Sequence, residues 1–198
     1  DEFVAFSRRL TDRVELNGSG VVFAGYGIVA PEYNWNDYEN IDVKGKTVVV
    51  LVNDPGYGTD RDDFFTGHAM TYYGRWTYKY EEAARQGASG LLIVHETGPA
   101  GYPWNVVLNG AVIPKLYLEP DDAYASRCAV EGRITSRAAG KLMDSYGYDL
   151  KELKEQARQR DFQAVELDGS VDFAMQSSRQ FAASRNIMGY LPGKERKD

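Results

Sequence analysis

The run Thr47-Val48-Val49-Val50-Leu51-Val52 constrains the fold more than any other stretch. It is β-branched and aliphatic throughout, with no polar alternation. Such a strand has two apolar faces and belongs in the middle of a sheet covered on both sides. Lys44-Gly45-Lys46 turns the chain into it. Asn53-Asp54-Pro55-Gly56 stops it, because Asn and Asp favour turns and proline has no N–H for the ladder. A short helix is predicted over Tyr78 to Gln86, with Tyr80, Ala83 and Ala84 on one face and Gly87 placed for a left-handed cap. Leu91-Leu92-Ile93-Val94 then reads as a second buried strand. Strand, helix and strand in this order predict a crossover unit with parallel strands.

The flanking segments carry weaker signals. Residues 1 to 12 read as a weak helix or an irregular lead-in, with Phe3, Phe6 and Leu10 at helical spacing. Arg13 to Leu16, the Asn17-Gly18 turn and Val21 to Ala24 suggest a hairpin. Gly25-Tyr26-Gly27 lacks the third glycine of a dinucleotide loop, and Pro31 opposes a helix after it. These glycines instead let the backbone bend or approach a neighbour closely. His95 to Gly110 reads as a loop, Val112 to Leu118 as an edge or bulged strand interrupted by Pro114, and Ala123 to Cys128 as a helical turn. Two helices have good boundaries. The first is capped at Thr135 or Ser136 and ended by Gly147; the second is capped by Asp149 with Glu152 at its third position. Gln163 to Leu167, Asp168-Gly169 and Val171 to Met175 read as a hairpin, and Asn186 to Leu191 as a last strand.

Composition excludes several functions. The 198 residues fit one large domain or a domain with a small appendage. The net charge is -6 with no basic stripe, which argues against a nucleic-acid partner, and no apolar run is long enough for a membrane span. The single cysteine, Cys128, permits no intrachain disulfide and reads as a small buried hydrophobe. His68 and His95 are the only histidines; His95-Glu96 begins like a zinc-peptidase helix motif, but Pro99 stands where the second histidine would be. Neither a G-x-S-x-G elbow nor a phosphate loop is present. Asp60, Asp62 and Asp63 lack the glycine and glutamate of a calcium loop. Acidic residues are plentiful, so a cryptic carboxylate-based hydrolase stays open, but nothing selects a pair.

Chemistry-bearing residues cluster instead in two aromatic segments, 57–77 and 98–110. Tyr72, Tyr73, Arg75 and Trp76 in the first, and Tyr102, Trp104 and Asn105 in the second, are the substrate- or partner-facing candidates. Tyrosine, tryptophan and arginine are the types that dominate binding hot spots. They are suited to a wall or a floor, not to bond-breaking.

Three separated segments carry a resemblance. Gly25-Tyr26-Gly27-Ile28 with Asp37-Tyr38, Val43-Lys44-Gly45-Lys46, and Glu82-Ala83-Ala84 before Gly87-Ala88 together look like the protease-associated domain of bacterial dizinc aminopeptidases, in the broad family of glutamate carboxypeptidase. The resemblance runs from about residue 12 to residue 193. It implies an α/β fold of the swivelling β/β/α type, with a two-sheet β core and flanking helices. It also implies a lead-in from the parent peptidase domain over 1–12, the protease-associated domain over 13–193, and a charged tail at 194–198. Asn186 to Gly193 resembles the re-entry into a catalytic domain whose first His-x-Asp zinc ligands would follow Asp198. On this reading the chain carries no catalytic residue and no cofactor. Two zinc ions would belong to the parent catalytic domain, which is one partner; the peptide substrate is the other. The module would cover the catalytic cleft and shape access to it, in a secreted or periplasmic enzyme. A freestanding peptide- or protein-binding module is the alternative.

Overall fold

The computed structural model describes residues 2–61 and 63–193. Its elements, in chain order, are β1 (Phe3–Phe6), β2 (Arg13–Phe23), β3 (Val29–Ala30), β4 (Trp35–Asn36), β5 (Thr47–Leu51), α1 (Trp76–Arg85), β6 (Gly90–His95), α2 (Thr97–Ala100), α3 (Trp104–Ala111), β7 (Val130–Thr135), α4 (Ser136–Ser145), α5 (Leu150–Gln156) and β8 (Val165–Gln176).

Thr47–Leu51 of the apolar run becomes β5, and all five residues are buried. It lies inside a six-stranded sheet of order β1-β7-β6-β5-β2-β8. β2, β5, β6 and β7 run parallel to one another, and β1 and β8 close the edges antiparallel. Alternate residues feed opposite cores. Val49 and Leu51 pack with Phe23, Val94 and the α4–α5 residues Ala139, Met143 and Leu153. Val48 and Val50 pack with Val22, Leu91, Ile93 and the α1 residues Tyr80 and Ala83. Helices therefore cover both faces of a mixed α/β sheet, as an apolar parallel core requires.

Helix boundaries follow local chemistry. Gly87, at φ +81°, ends α1. The Gly87 N–H reaches the Ala84 carbonyl and the Ala88 N–H reaches the Ala83 carbonyl, the bond pair of a Schellman cap. Thr135 accepts the Ala138 N–H at the start of α4, and Asp149 accepts the Glu152 N–H at the start of α5.

Several expectations are corrected. The β core does hold two sheets, but the second is only the two-residue pairing of β3 with β4. Neither Asn17-Gly18 nor Asp168-Gly169 makes a hairpin. Both are irregularities in one long antiparallel pairing of β2 with β8, where the register shifts between Leu16 and Ser19 and between Gly20 and Val21. Gly18 takes φ +60° and donates its N–H to Asp172. Glycine suits a bulge for the same conformational reason that it suits a turn. The segment expected to be helical or irregular at the start supplies β1 on the outer edge of β7. Val112 to Leu118 forms no strand, and Val112, Leu116 and Leu118 are 83%, 91% and 90% exposed. The stretch 95–110, expected as a loop, contains α2 and α3. Asn186 to Leu191 is exposed and forms no strand. The tail 194–198 lies outside the described residues. No helix among the described residues is long and apolar enough to cross a membrane.

Candidate functional site

Two of the segments that carry the sequence resemblance, residues 25–28 and 37–38, meet in one buried knot at the end of β2, while the Gly45 N–H bonds the Gly87 carbonyl elsewhere. Gly25 and Gly27 take φ +53° and +63°. A side chain on Gly27 would meet Val50 Cγ1 at 2.7 Å and the Tyr38 hydroxyl at 3.0 Å. This turn aims the Ile28 N–H at Asp37 Oδ2 (2.9 Å), while the Trp35 indole N–H donates to Asp37 Oδ1 (2.9 Å). Lys79 of α1 is buried and donates from Nζ to the Tyr26 carbonyl at 2.6 Å. The Tyr78 hydroxyl accepts the Val29 N–H and bonds the Val29 carbonyl, both at 3.0 Å. Burial raises the Asp37 carboxyl pKa against these donors, and burial lowers the Lys79 pKa against the charges of Asp37 and Asp54. Tyr78 and Lys79 thus tie α1 to the chain that follows β2, and Asp37 ties residues 28–37 together.

The segment after β5 is pinned by a second buried acid. Asp54 Oδ2 accepts the Thr71 N–H (2.9 Å) and the Thr71 hydroxyl (2.7 Å), and Oδ1 accepts the Gly56 N–H (3.1 Å). Asn53, in a left-handed conformation at φ 70°, donates from its amide to the Pro99 carbonyl at 2.8 Å. Two polar residues at the end of β5 thus fix both aromatic segments relative to the sheet.

The candidate residues separate into two groups. Tyr73 stands edge-on to Tyr33, Phe65 and Tyr78, and its hydroxyl donates to Glu32 at 2.6 Å. Tyr72 packs edge-on to Tyr78 and donates to Glu81 at 3.1 Å. Those carboxylate acceptors raise the pKa of both phenols, that of Tyr73 to about 12. The second group forms around Arg133 of β7. Its guanidinium lies over the rings of Trp76 (5.2 Å) and Tyr102 (5.8 Å), and it also donates to the Tyr102 hydroxyl. His95 lies 5.2 Å from the Tyr102 ring and 5.5 Å from Trp104, and its Nε2–H donates to the Tyr102 carbonyl at 3.0 Å. Burial, with a smaller contribution from Arg133, lowers the His95 pKa. Trp76 and Trp104 begin α1 and α3 rather than lying in loops. Arg75 and Asn105 are exposed beside them.

Arg133 organises this second group, yet sequence reasoning passed over it. Val130 to Thr135 alternates apolar residues with Glu131 and Arg133, a surface pattern, but Glu131 is fully buried between Arg8 (3.2 Å) and Arg127 (3.3 Å). The arrangement is a fixed aromatic wall. The groups around His95 are Tyr102, Trp104, Arg133 and the Glu96 carboxylate. His68 lies apart from this wall, exposed and 3.2 Å from Asp60. Among the described residues, no three His, Cys, Asp or Glu side chains come together as metal ligands.

Comparison with solved structures finds similarity to the aminopeptidase from Aneurinibacillus sp. strain AM-1, with 19% identity and a TM-score of 0.37, covering 89% of this chain and 30% of that one. The chain therefore spans less than a third of that protein's length. No family model matches, and no curated protein matches.

Proposed function

We propose that the chain is the protease-associated module of a secreted or periplasmic dizinc aminopeptidase. It contributes no catalytic group and walls the approach to the zinc centre of the parent's catalytic domain. The observation that carries the reading is the convergence of Gly25, Gly27, Ile28, Asp37 and Tyr38 into one buried knot that presents no reactive group. The segments that resemble the family thus serve the fold, and the remaining aromatic chemistry is displayed outward.

The wall suits that role. Trp76 and Tyr72 are 39% and 57% exposed, and their surroundings already hold them in place. A contact surface ordered before binding loses less side-chain entropy when a peptide meets it. The solvent-facing apolar residues of 112–118 suit contact with another domain, because exposed apolar patches mark interaction surfaces.

The reading is tested by offering aminoacyl reporter substrates to the purified chain with added zinc. It predicts no turnover. Zinc-dependent hydrolysis by this chain would overturn it. In the parent enzyme, Trp76→Ala should raise KM for peptides with little change in kcat, the signature of lost uniform binding.

A further inference from the structure

We propose that the cleft between Pro55, Thr59, Arg61 and Phe64 on one side and residues 158–161 on the other is a binding site for an oxyanion, a carboxylate or a phosphate. The cleft has a volume of about 550 Å³, within the usual size for small-ligand sites. Its walls include Thr59, Arg61, Phe64, Arg158, Arg160 and Asp161. Among the lining residues, three arginines stand beside one acid, Asp161, and Arg61 is already paired with Asp63 at 3.0 Å.

The two arginines beyond Arg61 are hydrogen-bonded to neutral oxygens, although Arg160 also acts through space on the Asp63 carboxylate. Arg160 donates from Nη1 to the Tyr33 carbonyl at 2.6 Å, and its guanidinium lies 5.5 Å from the Phe64 ring centre. Arg158 donates to the Tyr26 hydroxyl at 3.4 Å and the Tyr57 carbonyl at 3.3 Å. Among the described residues, neither forms an ion pair with a carboxylate. Each guanidinium has five N–H donors, so these bonds leave donors for a planar oxyanion. Bonding to neutral carbonyls orients the forks and keeps their charge available.

The location supports a ligand. Arg158 also lines a smaller adjoining cavity of about 70 Å³, with Asn53, Glu96 and Lys154, just beyond the ends of β5 and β6. Crevices outside the carboxyl ends of parallel strands are where open α/β sheets bind ligands. This inference does not depend on the protease-associated reading. The cleft would bind its anion whatever the parent protein does.

The test is calorimetric titration of the 198-residue chain with inorganic phosphate and, separately, with a capped glutamate amide, at constant chloride. Saturable one-site binding of either probe is expected. Phosphate alone would assign the site to phosphate, and glutamate alone to carboxylates. Arg158→Gln and Arg160→Gln should each weaken binding about tenfold or more, the loss of a charge-assisted bond. Arg137→Gln, a change at an exposed arginine paired with Glu2, should leave it unchanged. No saturable binding by either probe, or equal affinity in both cleft variants, would overturn the proposal. Because Arg160 also ties down the Tyr33 carbonyl, the unaltered chain supplies a second readout. The anion should protect Arg158 and Arg160, but not Arg137, from a dicarbonyl arginine reagent, and failure to protect the cleft pair would equally sink it.

Discussion

Asp54→Ala tests whether one buried carboxylate holds the aromatic segment in place. The side chain is fully buried and accepts three hydrogen bonds, two from backbone N–H groups and one from the Thr71 hydroxyl. Alanine leaves the Thr71 and Gly56 N–H groups without an acceptor, at about 1–3 kcal/mol each. The hydroxyl can rotate toward another partner and adds little. Removing a buried charge offsets part of the loss, because burial raises the Asp54 pKa and so disfavours its ionised form. The expected net destabilisation is about 2–4 kcal/mol, measured by urea denaturation at neutral pH. Amide hydrogen exchange at Thr71 and Gly56 should accelerate before global unfolding does. Asp54→Asn keeps one acceptor and should recover part of the loss. A penalty below about 0.5 kcal/mol, with unchanged exchange at both amides, would refute the reasoning, since that is the range of an ordinary surface substitution.

Other perturbations probe different contacts. Gly27→Ala combines a positive φ with a 2.7 Å approach to Val50 Cγ1, and should cost about 1–3 kcal/mol by denaturant titration. Glu131→Ala leaves Arg8 and Arg127 without their buried counter-charge and should cost about 3–5 kcal/mol in the same assay. His95 has a folded pKa below its unfolded value, so the unfolded chain takes up the proton first as pH falls. Its contribution is present above about pH 6.5 and is lost as pH drops toward the folded pKa. His95→Gln should flatten the stability profile across that window, and an unchanged slope would refute the assignment.

Much of the parallel core was legible in the sequence, because β5 and β6 are apolar on both faces and α1 has a single apolar stripe ended by Gly87. The edges were not. Asn17-Gly18 and Asp168-Gly169 signal conformational freedom, and a bulge and a turn use the same freedom; only the pairing of β2 with β8 distinguishes them. Gly132 illustrates the difficulty in β7. Its role is close approach, since an added Cβ would lie 2.6 Å from the Val4 carbonyl of β1, a contact invisible without the partner strand. At the candidate site, the sequence named the aromatic rings but not what gathers them. Trp76, Tyr102 and Trp104 meet because Arg133 and His95 lie on adjacent parallel strands. Tyr72 and Tyr73 belong to a different cluster, around Tyr78.

The most direct test of the proposed function is the reading frame beyond Asp198 in the gene that encodes this chain. An accessory wall requires a catalytic domain to serve. The account predicts a His-x-Asp pair within a short distance, followed by further carboxylate and histidine ligands sufficient for two zinc ions. A stop codon directly after this segment, or a continuation without such ligands, would contradict it.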